Sequence, residues 1–266
     1  ELPTDQPLRA ATIHTAQDSS LVIDTFEFGE LDPCDLSDPA QAKKLEECIA
    51  YAATETPDWS PAQIRDFFTR CSADVALTLT PIRMTQHWTQ FKAVTGSEST
   101  AVVLAPELES SMSRISVAVA NSTRRTMLER IAERLSSVSI NIHRAYLDII
   151  NDGDNGSVSF VGFVVTSPQG GPIDPESRIW KRVQHDLRRI KWADQRTINL
   201  SQRYPELDLT HGELIVALGD LVHQVLTHRN RYAYTSERVR ALAVDNLGLT
   251  MLLCDLFLDR FQPTDP

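Results

Sequence analysis

Residues 114–165 constrain the fold of this chain more than any other stretch. They begin with an apolar strand, continue through an amphipathic helix and end with two strands joined by the turn Asp152-Gly-Asp-Asn-Gly156. An Asp-Gly turn between apolar runs is a strong hairpin signal, because glycine adopts the left-handed backbone that such turns need. The helix is indicated by apolar residues that recur at helical spacing: Met127, Leu128, Ile131, Ala132 and Leu135. The sequence therefore predicts the order β-α-β-β.

A weaker copy of the hairpin lies near the N-terminus. Residues 9–15 parallel residues 144–150 at an offset of 135, and residues 21–28 parallel residues 158–165 after a shorter turn. A duplicated βαββ unit is more typical of a sensing or assembly module than of an enzyme. The order fits half of a ferredoxin-like split βαβ sandwich, whose sheet is covered by helices on one face.

The rest of the chain is predicted to be mostly helical. Ser60-Pro61 and Thr80-Pro81 each place an N-cap residue before a proline at the first helical position. Asp174-Pro175 predicts another helix start, and apolar residues recur at helical spacing from Thr210 onward. We expect an α+β protein in four parts: a partial hairpin unit over residues 1–32, a helical subdomain over 33–95, a βαββ domain over 96–195 and a C-terminal helical bundle over 196–266.

Composition excludes several classes of partner. The formal net charge is −10 and the isoelectric point is near 5.2, so nucleic acid and anionic membranes would be repelled by the summed field. The sequence has no apolar run approaching the roughly 20 residues of a membrane span. Its first residues show neither the basic nor the apolar region of an export signal. We expect a cytoplasmic protein that binds neither nucleic acid nor membrane.

Sequence motifs for catalysis and metal binding are missing. The chain has no GxGxxG, GxxxxGK[ST], GxSxG or HExxH, and its four cysteines are scattered without a CxxC pair. His223 and His228 are five residues apart, and no third metal ligand accompanies them. We therefore predict no catalytic residue, no metal site and no cofactor in this chain.

The predicted junction between the first strand and the helix is the one candidate ligand site. It contains Asn121, Ser122, Thr123 and Arg124. Free backbone N–H groups at a helix start, with amide and hydroxyl side chains beside them, can hold a carboxylate or a phosphate. The alternative is that these residues only cap the helix.

The βαββ segment resembles an ACT or ACT-like domain, in which the first strand is Arg114-Ile-Ser-Val-Ala-Val-Ala and the second begins at Ser139-Ile-Asn-Ile. The resemblance implies amino-acid binding or pairing of sheets to regulate an attached enzyme. The Asp-x-x-Gly usual at the strand-helix turn is here Asn121-Ser-Thr-Arg124.

The order of several segments is similar to the N-terminal regulatory part of the large NAD-specific glutamate dehydrogenases. Those segments are Ser19-Ser-Leu-Val-Ile-Asp-Thr-Phe-Glu-Phe-Gly29, Phe67-Phe-Thr-Arg-Cys71, Arg144-Ala-Tyr-Leu-Asp148, Leu221-Val-His-Gln-Val-Leu226, Asn230-Arg-Tyr-Ala-Tyr-Thr-Ser-Glu-Arg238 and Leu256-Phe-Leu-Asp-Arg-Phe-Gln-Pro263. The match covers most of the chain. It implies that residues 196–266 lead to a catalytic half outside this chain, which would carry the NAD site and the dehydrogenase chemistry.

Three hypotheses follow. The first is a non-catalytic regulatory and oligomerisation region of an NAD-dependent glutamate dehydrogenase, which forms a homo-oligomer or docks to a catalytic dehydrogenase domain and has a possible amino-acid effector. The second is a freestanding ACT-like protein that senses amino acids through residues 121–124. The third, an enzyme with an unrecognised carboxylate or histidine site, has the least support in the sequence.

Overall fold

The computed structural model describes residues 8–15, 22–29, 32–56, 59–97, 99–107, 111–121, 124–228 and 234–261, with the backbone alone for 8–15, 22–24, 26–27 and 124–126. It confirms the predicted α+β class. The elements are β1 (Leu8–Thr15), β2 (Val22–Phe28), α1 (Pro39–Glu55), α2 (Pro61–Arg70), α3 (Ala73–Thr78), α4 (Pro81–Val94), β3 (Thr100–Pro106), β4 (Ser113–Ala120), α5 (Arg124–Ser137), β5 (Asn141–Asn151), β6 (Ser157–Thr166), α6 (Arg178–Arg189), α7 (Gln195–Arg203), α8 (Leu209–Thr227), α9 (Ser236–Asp245) and α10 (Leu247–Phe261).

The six described strands form one sheet in the order β2-β1-β5-β6-β4-β3. Every neighbouring pair is antiparallel. Because β4 and β5 are each antiparallel to β6, they run parallel to one another with β6 between them, and α5 joins them. The predicted β-α-β-β order is confirmed as a split βαβ arrangement.

The two related hairpins lie side by side in this sheet. Their first strands, β1 and β5, pair antiparallel, with Ala11 opposite Leu147 and Thr12 opposite Tyr146. The offset of 135 relates Ala11 to Tyr146 and Thr12 to Leu147, so each of these residues faces the counterpart of the other. The N-terminal hairpin therefore extends the sheet about a local twofold axis that passes between β1 and β5.

Helices cover both faces of the sheet, so the expectation of one covered face was wrong. Ala118 and Ala120 of β4 belong to one core with Phe67, Trp88 and the other buried apolar residues of α1–α4. Ile115, Val117 and Val119 alternate with them along β4 and are also fully buried. They lie on the opposite face, where α5 contacts β5 and β6 and α6 contacts β3. Because Ala118 and Ala120 have small side chains, α4 can approach β4 closely. The same residues would also be tolerated on a strand face exposed to solvent.

The two proline-marked helix starts are confirmed. Ser60 caps α2 in a capping box with Gln63, and Thr80 caps α4 by accepting from the Arg83 N–H. The start predicted at Asp174-Pro175 was wrong, since α6 is capped by Ser177. The carboxylate of Asp174 instead accepts a hydrogen bond from the Glu176 N–H, a local turn that precedes the helix.

A buried ion pair joins α5 to α6. The Arg134 Nε donates to Asp186 Oδ2 over 2.8 Å, and the two side chains are 1% and 0% exposed. Arg134 also donates to Ser137 Oγ over 3.1 Å. Neither charge reaches water, so each depends on the other for its solvation.

The chain divides into two compact units, Glu1–Lys191 and Trp192–Pro266. The first contains all six described strands, so residues 1–32, 33–95 and nearly all of 96–195 belong to one unit. The second contains α7–α10 and begins four residues before the predicted boundary at 196. Its described core is formed by Leu207, Ile215 and Cys254 with partly buried neighbours.

Among the described residues, no single helix has both the length and the apolarity to cross a membrane. Only α9 and α10 taken together meet that measure, and the chain bends by 96° between them.

We predict that Asp186→Asn destabilises the first unit by about 3–5 kcal/mol, because it removes the negative charge that pairs with the buried guanidinium of Arg134. The double substitution Arg134→Met with Asp186→Leu should recover most of that loss, since it removes both charges. Urea denaturation followed by circular dichroism measures the change. Lys181→Met is the matched control on α6: its partner Glu176 is 81% exposed, so less than about 1 kcal/mol should be lost. Equal losses in all three variants would contradict a role for the buried pair.

Candidate functional site

The predicted ligand junction begins at Asn121, which directly follows β4. Asn121 has the left-handed φ of 49°, and its N–H donates to the Ser157 carbonyl over 2.9 Å. Its side-chain Oδ1 lies 2.4 Å from where a Cβ would stand on Gly156, so that position of the hairpin turn excludes any side chain. Asn121 thus fits against the start of β6. Ser122 and Thr123 lie outside the described residues, and of Arg124 only the backbone at the start of α5 is described. The proposed binding at residues 121–124 stays a prediction.

The turn Asp152-Gly-Asp-Asn-Gly156 joins β5 to β6, as predicted from its sequence. The carboxylate of Asp152 is buried and accepts from Thr95 Oγ1 over 2.7 Å, and Arg70 lies 3.6 Å away. This carboxylate therefore ties the hairpin turn to the ends of α2 and α4. Among the described residues, no group of three or more His, Cys, Asp or Glu side chains is placed to hold a metal ion.

One histidine-carboxylate pair lies between α4 and the sheet. His87 Nε2 is 3.2 Å from Asp148 Oδ2, and the imidazole stacks on the Phe160 ring at 4.3 Å. Such a pair becomes catalytic when the second ring nitrogen faces a nucleophile. His87 Nδ1 is buried, and within the described ranges no group hydrogen-bonds to it. The pair holds α4 against β5 and β6.

The thiols of the first unit are poorly suited to nucleophilic chemistry. Burial raises the pKa of Cys48 to about 11, and burial raises the pKa of Cys71 well above its ordinary value. All four cysteines are free, in agreement with the prediction from their spacing. The thiolate is the reactive form, so these groups are protonated and inert near neutral pH.

Within the second unit, α7, α8 and α9 enclose an open cleft of about 410 Å³. Its floor is apolar, formed by residues such as Leu200, Ile215 and Val216. Its walls carry charged side chains: Arg196 and Arg203 from α7, and Glu237, Arg240 and Asp245 from α9. Clefts of this size with an apolar floor and a few polar groups are typical of small-molecule sites.

Sequence reasoning missed this cleft. Residues 195–203 were not assigned to any predicted element, although Asp194 caps α7 by accepting from the Arg196 N–H. The cleft-lining residues of α7 and its C-cap recur at positions 196, 199, 200, 203 and 204, the spacing of one helix face. This helical spacing is visible in the sequence, but charged residues on one face of a helix usually indicate that the face is exposed to solvent.

An exposed apolar face runs along α10. Its leucines Leu249, Leu252, Leu253 and Leu256 are 55–66% exposed and share one face by their spacing. The opposite side of α10 supplies Cys254, with Leu247 and Met251, to the core. The C-terminal half of α8 also exposes Leu221, Val222 and Val225. A helix that is apolar all round is normally covered on both sides.

No family model matches this chain, and no curated protein matches it significantly.

His211 links the start of α8 to α10. Its Nδ1 is 2.8 Å from Asp208 Oδ1, and its Nε2 is 2.9 Å from Asp255 Oδ1. Burial opposes the charged ring, but hydrogen bonds with Asp255 and Asp208 outweigh it, and the pKa of His211 is raised above its ordinary value of 6.5. The charged imidazole thus stabilises the attachment of α10.

We predict that the free energy of unfolding of the second unit contains a pH-dependent contribution from His211 of at most about 1 kcal/mol. Because the folded pKa is raised, this contribution is complete below about pH 6.5 and disappears as the pH rises through the folded pKa. Asp255→Asn should reduce the pH dependence, as measured by urea denaturation at a series of pH values. His223→Gln is the control, since the described hydrogen bond of the His223 ring is with the uncharged Tyr234 carbonyl. A steeper pH dependence in Asp255→Asn would refute this role.

Proposed function

We propose that this chain is a non-catalytic regulatory and assembly region of a cytoplasmic NAD-dependent glutamate dehydrogenase. The observation that carries the proposal is the exposed apolar face of α10, with the exposed end of α8, because solvent-exposed apolar surface of this kind marks contact with another protein. The link to glutamate dehydrogenase rests on the order of sequence segments. In this proposal NAD and glutamate bind to a catalytic half outside residues 1–266.

An ACT-like assignment of residues 96–195 is supported by topology. In a ferredoxin-like βαββαβ sandwich, two helices lie on one face and the last strand lies at the edge beside the first. Here α5 and α6 contact each other beside the sheet, and the edge strand beside β4 is β3. Since β3 precedes β4 in the chain, the edge strand comes from before the βαββ segment rather than after it. We therefore propose an ACT-like unit whose edge strand differs in its place along the chain.

An assembly role is supported by the repeat of the hairpin. The antiparallel pairing of β1 with β5 brings the two related hairpins together through their first strands, which is how sheets of separate regulatory domains would extend one another. Within this chain the edge of β5 is already paired with β1 and is not free for another molecule. Further assembly would therefore use another surface, and the leucines of α10 provide one.

We predict that the double substitution Leu252→Glu with Leu256→Glu weakens assembly by at least about tenfold in dissociation constant, because each carboxylate would be buried in the contact. Sedimentation equilibrium of the wild-type chain measures homo-oligomers. Binding to a separately expressed glutamate- and NAD-binding polypeptide of the same source measures docking. Thr69→Glu, an exposed substitution in the first unit, is the control. A wild-type monomer that does not bind the dehydrogenase polypeptide would contradict the assembly role.

We also predict that the chain alone does not reduce NAD with glutamate, and that adding it to the catalytic polypeptide changes the rate or the substrate dependence of that polypeptide. Absorbance of NADH measures both. Glutamate oxidation by residues 1–266 alone, surviving repurification, would show that the chain is catalytic and that the proposal is wrong.

A further inference from the structure

We infer that the cleft between α7, α8 and α9 binds a free α-amino acid with an apolar side chain, held as a zwitterion between two walls of opposite character. The inference uses only residues of the second unit. It goes beyond the proposed function, because ligand binding in this cleft would stand even if the chain regulated a different enzyme.

The α7 wall offers a guanidinium for a carboxylate. Arg203 is exposed at the end of α7, and its described contact is with the Tyr204 ring at 5.8 Å. Arg196 is different, because its three nitrogens already donate to Asp194 and Asp220 over 2.8–3.1 Å. Arg203 thus retains its donors for a ligand, and a guanidinium binds a carboxylate with two parallel hydrogen bonds.

The α9 wall offers carboxylates for an ammonium group. Glu237 and Asp245 line the cleft, and neither forms an ion pair or hydrogen bond with any described residue. Asp245 is the last residue of α9, where the negative end of the helix dipole disfavours a carboxylate. Arg240 lies between them on the same wall, and its guanidinium donates a hydrogen bond to Ser236 Oγ over 2.7 Å. A cation placed beside Asp245 would relieve this unfavourable position.

The two walls do not neutralise each other. Among the described residues, Arg203 forms no ion pair with Glu237 or Asp245, although all three line the cleft. All three side chains are exposed and accessible to a ligand. A molecule with one carboxylate and one ammonium group could pair its carboxylate with Arg203 and its ammonium group with Glu237 or Asp245.

The floor selects the side chain of the ligand. Leu200, Ile215, Val216, Ala241 and Val244 line the cleft between the charged walls. A polar side chain would lose its water there without a hydrogen-bond partner, whereas an aliphatic or aromatic one gains from burial. The volume of about 410 Å³ is at the lower end of small-molecule pockets, which suits a single amino acid.

Isothermal titration calorimetry of the full chain tests the inference with L-leucine, L-valine, L-methionine and L-phenylalanine as probes. At least one should bind in the millimolar range or tighter. For the best of them, the analogue without the amino group and the analogue without the carboxylate should each bind at least about tenfold more weakly, because each loses a charge-assisted hydrogen bond. These comparisons use the wild-type chain, so they do not depend on any variant folding.

Variants locate the site. Arg203→Gln and Asp245→Asn should each weaken binding at least about tenfold, with unchanged circular dichroism. Arg188→Gln, which changes an exposed arginine of the first unit, should leave binding unchanged. The inference is overturned if none of the four amino acids binds, or if inorganic phosphate or the desamino analogue binds as tightly as the amino acid. It is also overturned if Asn121→Ala abolishes binding while Arg203→Gln does not.

Discussion

The first unit depends on a buried contact between opposite charges, the pair formed by Arg134 and Asp186. Since neither side chain reaches water, any arrangement that separates α5 from α6 leaves an unsolvated charge, at a cost of several kcal/mol. Apolar packing alone would tolerate sliding of one helix over the other, but the ion pair fixes one register. Because α5 contacts β5 and β6 while α6 contacts β3, that register also fixes how the helices lie across these three strands.

The opposite face of the sheet is fixed by polar contacts distributed along α4. Gln90 donates to the Ser116 carbonyl and accepts from Ser116 Oγ, His87 contacts Asp148, and Thr95 donates to Asp152. Each joins the helix to a different part of the sheet, so α4 is oriented by more than apolar packing. The sheet is consequently a middle layer, which explains why almost every residue of β4 is buried.

Local signals predicted the strands, the hairpin turn and the helix starts at Ser60 and Thr80, because those features depend on neighbouring residues. The second covered face was missed since Ala118 and Ala120 suit both a tightly packed and a half-exposed strand. A signal for the buried pair was present: Arg134 lies three residues after Ile131 and Asp186 three after Val183, on the apolar faces of their helices. The cleft could not be predicted, because whether charged helix faces meet water or each other depends on how α7 and α9 pack.

The second unit exposes apolar side chains on α8 and α10 and carries charged side chains around its cleft. Complete burial contributes about 1.5–3 kcal/mol for each leucine side chain, and the four leucines of α10 are 55–66% exposed, so covering them would contribute roughly 4–7 kcal/mol. Association costs about 4–15 kcal/mol in lost freedom of motion, so this face alone gives at best a marginal complex. The exposed Leu221, Val222 and Val225 of α8 are therefore needed as well, and a partner that binds stably must cover both helices.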